Sequence, residues 1–176
     1  MIKSIKNYIA FFIAKKKYLN KKSSPKNFKS LISNSSKILI VLPNNAEDIL
    51  KALDIPAFFK KNNKEVILIT NEKFQHIAQE EFQFKTITYN EESISKFGLP
   101  VRSLVEELLL LEVDIALDLN REESLFLGIL ANISKSDLVA GFKKIKADDL
   151  YDLQIANHQN NAEISYRNFL NSIQML

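Results

Sequence analysis

Continuous apolar runs alternate with amphipathic stretches along most of the chain, from residue 37 onward. Five stretches are predicted to be strands, and the continuous apolar ones among them are typical of strands buried on both faces of a sheet. They are KILIVLP (37–43), EVILIT (65–70), FKTITY (84–89), VDIALDL (113–119) and DLVAGF (137–142). Helical patterns separate them, so the sequence predicts a Rossmann-like α/β fold, a parallel sheet with helices on both faces.

The predicted helices follow the strands in order. The first, at 46–63, starts with acidic residues that suit a helix N-terminus, and Pro56 is expected to kink or restart it. The second, at 71–82, is expected to be capped by Asn71. The others are VRSLVEELLLLE (101–112), REESLFLGILANIS (121–134) and AEISYRNFLNSIQML (162–176).

Residues 1–36 are predicted to form a separate unit, a basic amphipathic leader helix and a linker, before a domain at 37–176. Ile2, Ile5, Ile9 and Phe12 are spaced by three, four and three residues, which is one stripe of a helix over residues 2–18. The flanking lysines are Lys3, Lys6, Lys15, Lys16 and Lys17. The stretch NKKSSPKN (20–27), broken at Pro25, is expected to be a flexible connector.

Charge adds to the contrast between the leader and the rest. Residues 1–46 carry ten lysines and no acidic residue, whereas residues 47–176 carry 14 basic and 21 acidic side chains. The default interpretation is that the stripe packs on the body. The alternatives are contact with an anionic membrane surface or with an acidic partner protein. The central seven apolar residues are too few to span a bilayer, so we expect a cytoplasmic protein, peripheral on the inner membrane if the membrane alternative holds.

Composition excludes several kinds of site. The 176-residue chain has no cysteine, which rules out disulfides, thiolate metal sites and cysteine nucleophiles. Its two histidines, His76 and His158, are far apart, and no metal is expected. Three glycines are too few for a phosphate-binding loop or a dinucleotide fingerprint, so no cofactor is expected. Nucleic acid is not expected as a partner, because the leader lacks arginine.

Four stretches carry a resemblance to a known family. They are ILIVLPNNAEDIL (38–50), LKALDIPAFFKKNNKEVILIT (50–70), VDIALDLNREESLFLGILANISKSDLVAGF (113–142) and AEISYRNFLNSIQML (162–176). Together they resemble the N-terminal, acceptor-side half of heptosyltransferase-type glycosyltransferases, which have the two-domain GT-B fold. The resemblance covers about residues 37–176 and implies that the second, donor-binding domain is absent.

The resemblance places Asp48 at the position of the family's catalytic base. Glu47 stands where the family has glycine, and its bulk and negative charge would repel a nucleotide-sugar. Our default interpretation of Asp48 is therefore an acidic residue of a solvated loop at a helix start. The loops after the first and fourth strands supply the acceptor-cleft candidates, which are Asn44, Asn45, Glu47, Asp118, Asn120 and Arg121.

For Asp118 and Asn120 we favour capping of the next helix over a role in an acceptor cleft, because asparagine is a good N-cap residue. The sequence as a whole favours a non-catalytic accessory or remnant domain of glycosyltransferase ancestry that binds a partner protein or a glycan-lipid. One alternative is the acceptor-binding half of a split transferase, completed by a donor-domain chain. The other is a structural subunit whose leader docks on an acidic partner.

Overall fold

The structure is a computed structural model that describes residues 2–19, 28–80, 83–145 and 147–175. Its centre is a six-stranded sheet in which all pairings are parallel, in the order β3-β2-β1-β4-β5-β6. The strands are β1 (Lys37–Val41), β2 (Glu65–Asn71), β3 (Lys85–Tyr89), β4 (Ile115–Asp118), β5 (Leu138–Phe142) and β6 (Leu153–Ile155). The prediction of a parallel α/β sheet is confirmed.

Helices cover both faces of this sheet. They are α1 (Ile2–Lys17), α2 (Phe28–Asn34), α3 (Ala46–Ala52), α4 (Asp54–Lys61), α5 (Gln75–Glu80), α6 (Arg102–Leu109), α7 (Leu125–Ile133) and α8 (Ala162–Gln174). Buried residues of α1, α6 and α7 share one core cluster with Leu39 and Val41 of β1. Residues of α3, α4 and α8 share the other cluster with Ile38 and Ile40. Successive residues of β1 therefore enter opposite cores, which explains its uninterrupted apolar run.

The predicted break near Pro56 is present. Helix α3 ends at Ala52 and α4 begins at Asp54, which places Pro56 in the first turn of α4. The first turn tolerates proline because its backbone N–H groups have no partner within the helix. The expected cap of the next helical segment is also present, since the Asn71 side chain accepts a hydrogen bond from the backbone N–H of Lys73.

Three details differ from the sequence prediction. Helix α7 begins at Leu125, not at Arg121, and is capped by Ser124. Strand β6 was missed, because it is three residues long and only partly buried. Ile164, expected among the apolar positions of the last helix, is 40% exposed, while Phe169 and Ile173 are buried.

The leader helix is present, but the two described side chains of the predicted stripe, Ile9 and Phe12, lie on its exposed side. Ala10 and Ala14 are buried against the body, whereas Ile9 is 42% and Phe12 is 64% exposed. The default interpretation that the stripe packs on the body is therefore wrong for Ile9 and Phe12. Lys15, Lys16 and Lys17 are exposed. The side chains of Ile2, Lys3, Ile5 and Lys6 and the connector at 20–27 lie outside the described residues.

Two further observations bear on location and domain layout. None of the helices in the described ranges is both long and apolar enough to cross a bilayer. Leu19, which follows α1, is also buried in the core cluster of Ala10 and Ala14, so the leader helix and the sheet share one core. The boundary after residue 36 stays a prediction.

Candidate functional site

The strand order creates a crevice at the carboxyl edge of the sheet. The chain runs outward from β1 to β2 and β3 on one side, and from β4 to β5 and β6 on the other. The loops after β1 and β4 therefore run in opposite directions and leave a crevice between them. Ligands of such sheets bind in this crevice. Most of the predicted acceptor-cleft residues lie in these two loops.

Asn120 joins the two loops. Its side-chain amide donates to the backbone carbonyl of Leu42 at 3.2 Å and to Asp118 Oδ1 at 2.6 Å. Its Oδ1 accepts from the backbone N–H of Asn44 at 3.2 Å. The expectation that Asp118 and Asn120 cap the next helix is wrong, since Ser124 does this and Asn120 instead links the ends of β1 and β4.

Asp48 lies in the first turn of α3, and two other elements hold its carboxylate. Arg121, from the loop after β4, donates Nε–H to Asp48 Oδ2 at 2.9 Å and Nη2–H to Oδ1 at 2.8 Å. Tyr166 of α8 donates its hydroxyl to Asp48 Oδ2 at 3.0 Å. The Asp48 side chain is only 8% exposed. The expectation of a solvated acid is wrong, because these protein partners take the place of water.

Titration follows from this packing. Burial raises the pKa of Asp48, but the hydrogen bonds from Arg121 and Tyr166 outweigh it and hold the pKa below the ordinary value of 3.8. Burial and the Asp48 charge raise the pKa of Tyr166, so its hydroxyl stays protonated and donates. A carboxylate with a lowered pKa is a weak base, and this one is already paired on both oxygens.

A second buried carboxylate lies next to the first, at the end of β4. Asp118 is fully buried and pairs with Lys144 Nζ at 3.2 Å, with Lys144 itself only 4% exposed. The Tyr151 hydroxyl also donates to Asp118 Oδ2. Both carboxylates therefore have a cationic and a phenolic partner. Asp118 supports the loops from below and presents no surface to a ligand.

An open cleft of about 840 Å³ lies beside these loops, over the ends of β1, β2 and β3. Its floor contains Tyr89 and Phe126, whose rings meet edge to face with centroids 5.1 Å apart. Its polar lining includes Asn44, Asn71, Glu72, Lys73 and Asn90. Burial raises the pKa of Tyr89 to about 12, so its hydroxyl stays protonated. This hydroxyl donates a hydrogen bond to Asn44 Oδ1 at 3.3 Å.

Most of the predicted site residues line a smaller cavity next to the large cleft. Asn44, Asn45, Asp48, Asn120 and Arg121 line a smaller cavity of about 210 Å³. Asn44 also lines the large cleft, so this residue is shared by the cleft and the smaller cavity. Asn45 caps α3, because its Oδ1 accepts from the backbone N–H of Asp48 at 2.8 Å. Glu47 is exposed on α3.

Sequence analysis missed most of the large cleft. Asn71 ends β2 and Asn90 follows β3, so both lie at the same carboxyl edge as the predicted residues. The rule that pointed to the loops after β1 and β4 would have found them if applied to every strand. Within the described ranges, no three histidine, aspartate or glutamate side chains are grouped so that they could hold a metal ion.

The strand order and the edge cleft define a Rossmann-like α/β protein. Over residues 6–174 the chain matches a family of unknown function, DUF6913, and it belongs to that family. None of the curated proteins matches it.

Among solved structures, the chain is similar to the glycosyl transferase family 9 protein from Veillonella parvula DSM 2008, with a TM-score of 0.62 at 13% identity. The likeness covers 88% of this chain and 44% of that one. The chain therefore spans less than half the length of the transferase, and the likeness is one of fold.

Proposed function

We propose that this protein is a non-catalytic binding domain of glycosyltransferase ancestry, corresponding to the acceptor-side half of a GT-B enzyme, whose cleft takes a glycan. The state of Asp48 carries the proposal. A general base must reach the proton it removes and must have a pKa near the working pH. Asp48 meets neither condition, because Arg121 and Tyr166 occupy its oxygens and its pKa is lowered.

In this proposal the neighbouring residues give Asp48 a structural role instead of a catalytic one. Its carboxylate connects α3, the loop after β4 and α8, through bonds to Arg121 and Tyr166. Arg121 also donates Nη1–H to the backbone carbonyl of Asn160 at 2.9 Å, just before α8. A carboxylate at the centre of such a network holds the rim of the crevice in place.

The cleft supports binding of a glycan rather than of a purely apolar ligand. Asn44, Asn71 and Asn90 bring amides, and each amide contains both a donor and an acceptor. Sugar hydroxyl groups also both donate and accept, so amides are suitable partners for them. The floor of Tyr89 and Phe126 offers an apolar surface for the C–H face of a sugar ring. A small number of polar groups above an apolar floor is usual for ligand sites.

Two measurements on the full-length protein test the proposal. First, the protein is incubated with nucleotide-sugars and assayed for hydrolysis and transfer, and no turnover is expected. Second, it is screened on a glycan array and the strongest hit is titrated by calorimetry. We expect saturable binding that Ile94→Ser weakens, because Ile94 lines the cleft and is 37% exposed. Leu110→Ser, at an 83% exposed position that does not line the cleft, is the matched control.

Three results would overturn the proposal. Saturable binding of a nucleotide-sugar that Asp48→Ala abolishes would show a working donor site. Transfer activity that appears only with a second, donor-domain chain would favour the split-transferase alternative. Glycan binding that is unaffected by Ile94→Ser would place the glycan outside the cleft.

A further inference from the structure

Helix α1 has two unlike faces. Its inner face centres on Ala10 and Ala14, which are 2% and 0% exposed, and the partly buried Phe11 and Ile13 pack on the same core. Its outward face is formed by Tyr8, Ile9 and Phe12, which are 75%, 42% and 64% exposed. These three residues lie on one side of the helix, because Tyr8 and Ile9 are four and three positions from Phe12.

The outward face is not what folding alone favours. A surface helix usually turns its large apolar side chains inward, because the free energy gained on burial grows with the apolar area removed from water. Among the described side chains of α1, Ala10 and Ala14 are buried and Phe11 and Ile13 pack on the core partly buried, yet two aromatic rings and an isoleucine remain in solvent. The contacts within the described residues thus give no reason for the composition of the outward face.

Lysines at the C-terminal end of α1 border the outward face and limit which occupant fits. Lys16 follows Phe12 by one helical turn, and Lys17 is also exposed. Lys15 forms an ion pair with Asp149 at 2.8 Å yet remains 58% exposed. Residues 1–46 contain ten lysines and no acidic residue, while the rest of the chain is net acidic. The occupant must therefore offer an apolar layer bordered by negative charge.

Phe97 is a further exposed aromatic residue, in a groove beside the helix. It is 50% exposed and lines the same 470 Å³ groove as Ala10 and Phe11 of α1. Its neighbour Lys96 is exposed as well. An aromatic residue with an adjacent lysine thus recurs beside α1, on a different part of the chain.

We propose that the outward face of α1 docks on an anionic lipid bilayer, with the helix lying in the plane of the interface. The boundary between headgroups and acyl chains provides both an apolar layer and negative charge, and helices with apolar residues bordered by lysines bind there. Each lysine near such a surface strengthens partitioning by about fivefold. Phe126 lines both the groove beside α1 and the glycan cleft, so docking would bring the cleft close to the headgroups.

Vesicle co-flotation of the full-length protein tests this proposal, with phosphatidylcholine vesicles compared with vesicles that also contain phosphatidylglycerol. We expect recovery with the anionic vesicles only, and loss of binding on raising salt. Phe12→Ser should weaken binding about fivefold, the loss expected for partial burial of one large apolar side chain, whereas Leu110→Ser, at a still more exposed apolar position, should not. Replacing both Lys16 and Lys17 by glutamine should weaken it about 25-fold. The matched control replaces Lys60 and Lys61, an exposed pair in the last turn of α4.

Several outcomes would overturn the proposal. Failure to float with anionic vesicles would do so, as would equal recovery with both kinds of vesicle. A Phe12→Ser variant that binds like the original protein would exclude the outward face. A dimer in light scattering that Phe12→Ser converts to a monomer would assign the face to a second copy of this chain. Thermal melting of each variant verifies folding, and glycan binding is measured separately, so the two proposals can fail independently.

Discussion

Removal of Arg121 tests whether the Asp48 network holds the crevice together. In Arg121→Ala the Asp48 carboxylate loses both charged hydrogen bonds and keeps the one from the Tyr166 hydroxyl. Breaking a fully buried pair from one side destabilises a protein by about 3–5 kcal/mol. Arg121 is 23% exposed, so water can partly replace it, and we expect a loss of about 2–3 kcal/mol in the free energy of unfolding.

Urea unfolding of four proteins measures this effect and its origin. The four are the original chain, Arg121→Ala, Asp48→Asn and the double variant. The double variant should be more stable than the sum of the single losses implies, with a coupling free energy of at least about 1 kcal/mol, because the two residues are in direct contact. In thermal melts, Arg121→Ala should lower the Tm by about 4–12 °C for a chain of this size.

The pH dependence gives a second measure of the same pair. The pKa of Asp48 is lower in the folded state than in the unfolded state, so the unfolded chain binds its proton more readily. The stability that Asp48 contributes is therefore present above about pH 4 and is lost as the pH falls toward its folded pKa. Asp48→Asn should show a shallower loss of stability over this acidic range.

The reasoning would be refuted by either of two results. If Arg121→Ala unfolds at the same urea concentration as the original chain, the pair does not stabilise the crevice. If carboxyl NMR finds that Asp48 titrates at or above 3.8, the bonds from Arg121 and Tyr166 do not outweigh burial, and the argument against a basic role fails.

Further predictions concern the second carboxylate and the sheet below it. Gly141→Ala should destabilise by about 1–3 kcal/mol in urea, because the new Cβ would lie 2.8 Å from the buried ring of Tyr151. Gly128→Ala should lower the free energy of unfolding less, since its new Cβ meets the terminal methyl groups of the Leu150 side chain, which can shift. An equal loss in the two variants would contradict this. Lys144→Met should destabilise by about 3–5 kcal/mol by leaving Asp118 buried without its cation. Adding Asp118→Asn to Lys144→Met should recover part of the lost stability, as measured by calorimetric melting. A double variant that is no more stable than Lys144→Met would contradict this.

The strands could be predicted from the sequence because each inner strand is buried on both faces. Ile38 and Leu39 enter different cores, so both positions must be apolar and the strand appears in the sequence as a continuous apolar run. Strand β6 has no such apolar run, since two of its three residues are only partly buried. The side of α1 that packs could not be predicted either. Periodicity identifies the large apolar residues, whereas Ala10 and Ala14 make the contact through small size.

The candidate site was predictable as a place but not as a set of contacts. Strand ends identified the loops that contain Asn44, Asp48 and Asn120. The partners of Asp48 are 73 and 118 positions away, and no local pattern records such pairs. Asn120 illustrates the limit most clearly, because the same residue suits a helix cap and a bridge between loops. Only the position of Ser124, four residues later, decides between them.

The bond between Tyr166 and Asp48 has a consequence for the order in which the molecule folds. It closes a loop of 118 residues, and the entropy lost on closing so long a loop must be offset by other contacts made at the same time. The packing of Phe169 and Ile173 of α8 against the sheet supplies those contacts. The crevice is therefore completed late, after β1 and β4 have paired and when α8 docks. During synthesis, a nascent chain that already has its first four strands would still lack a finished rim.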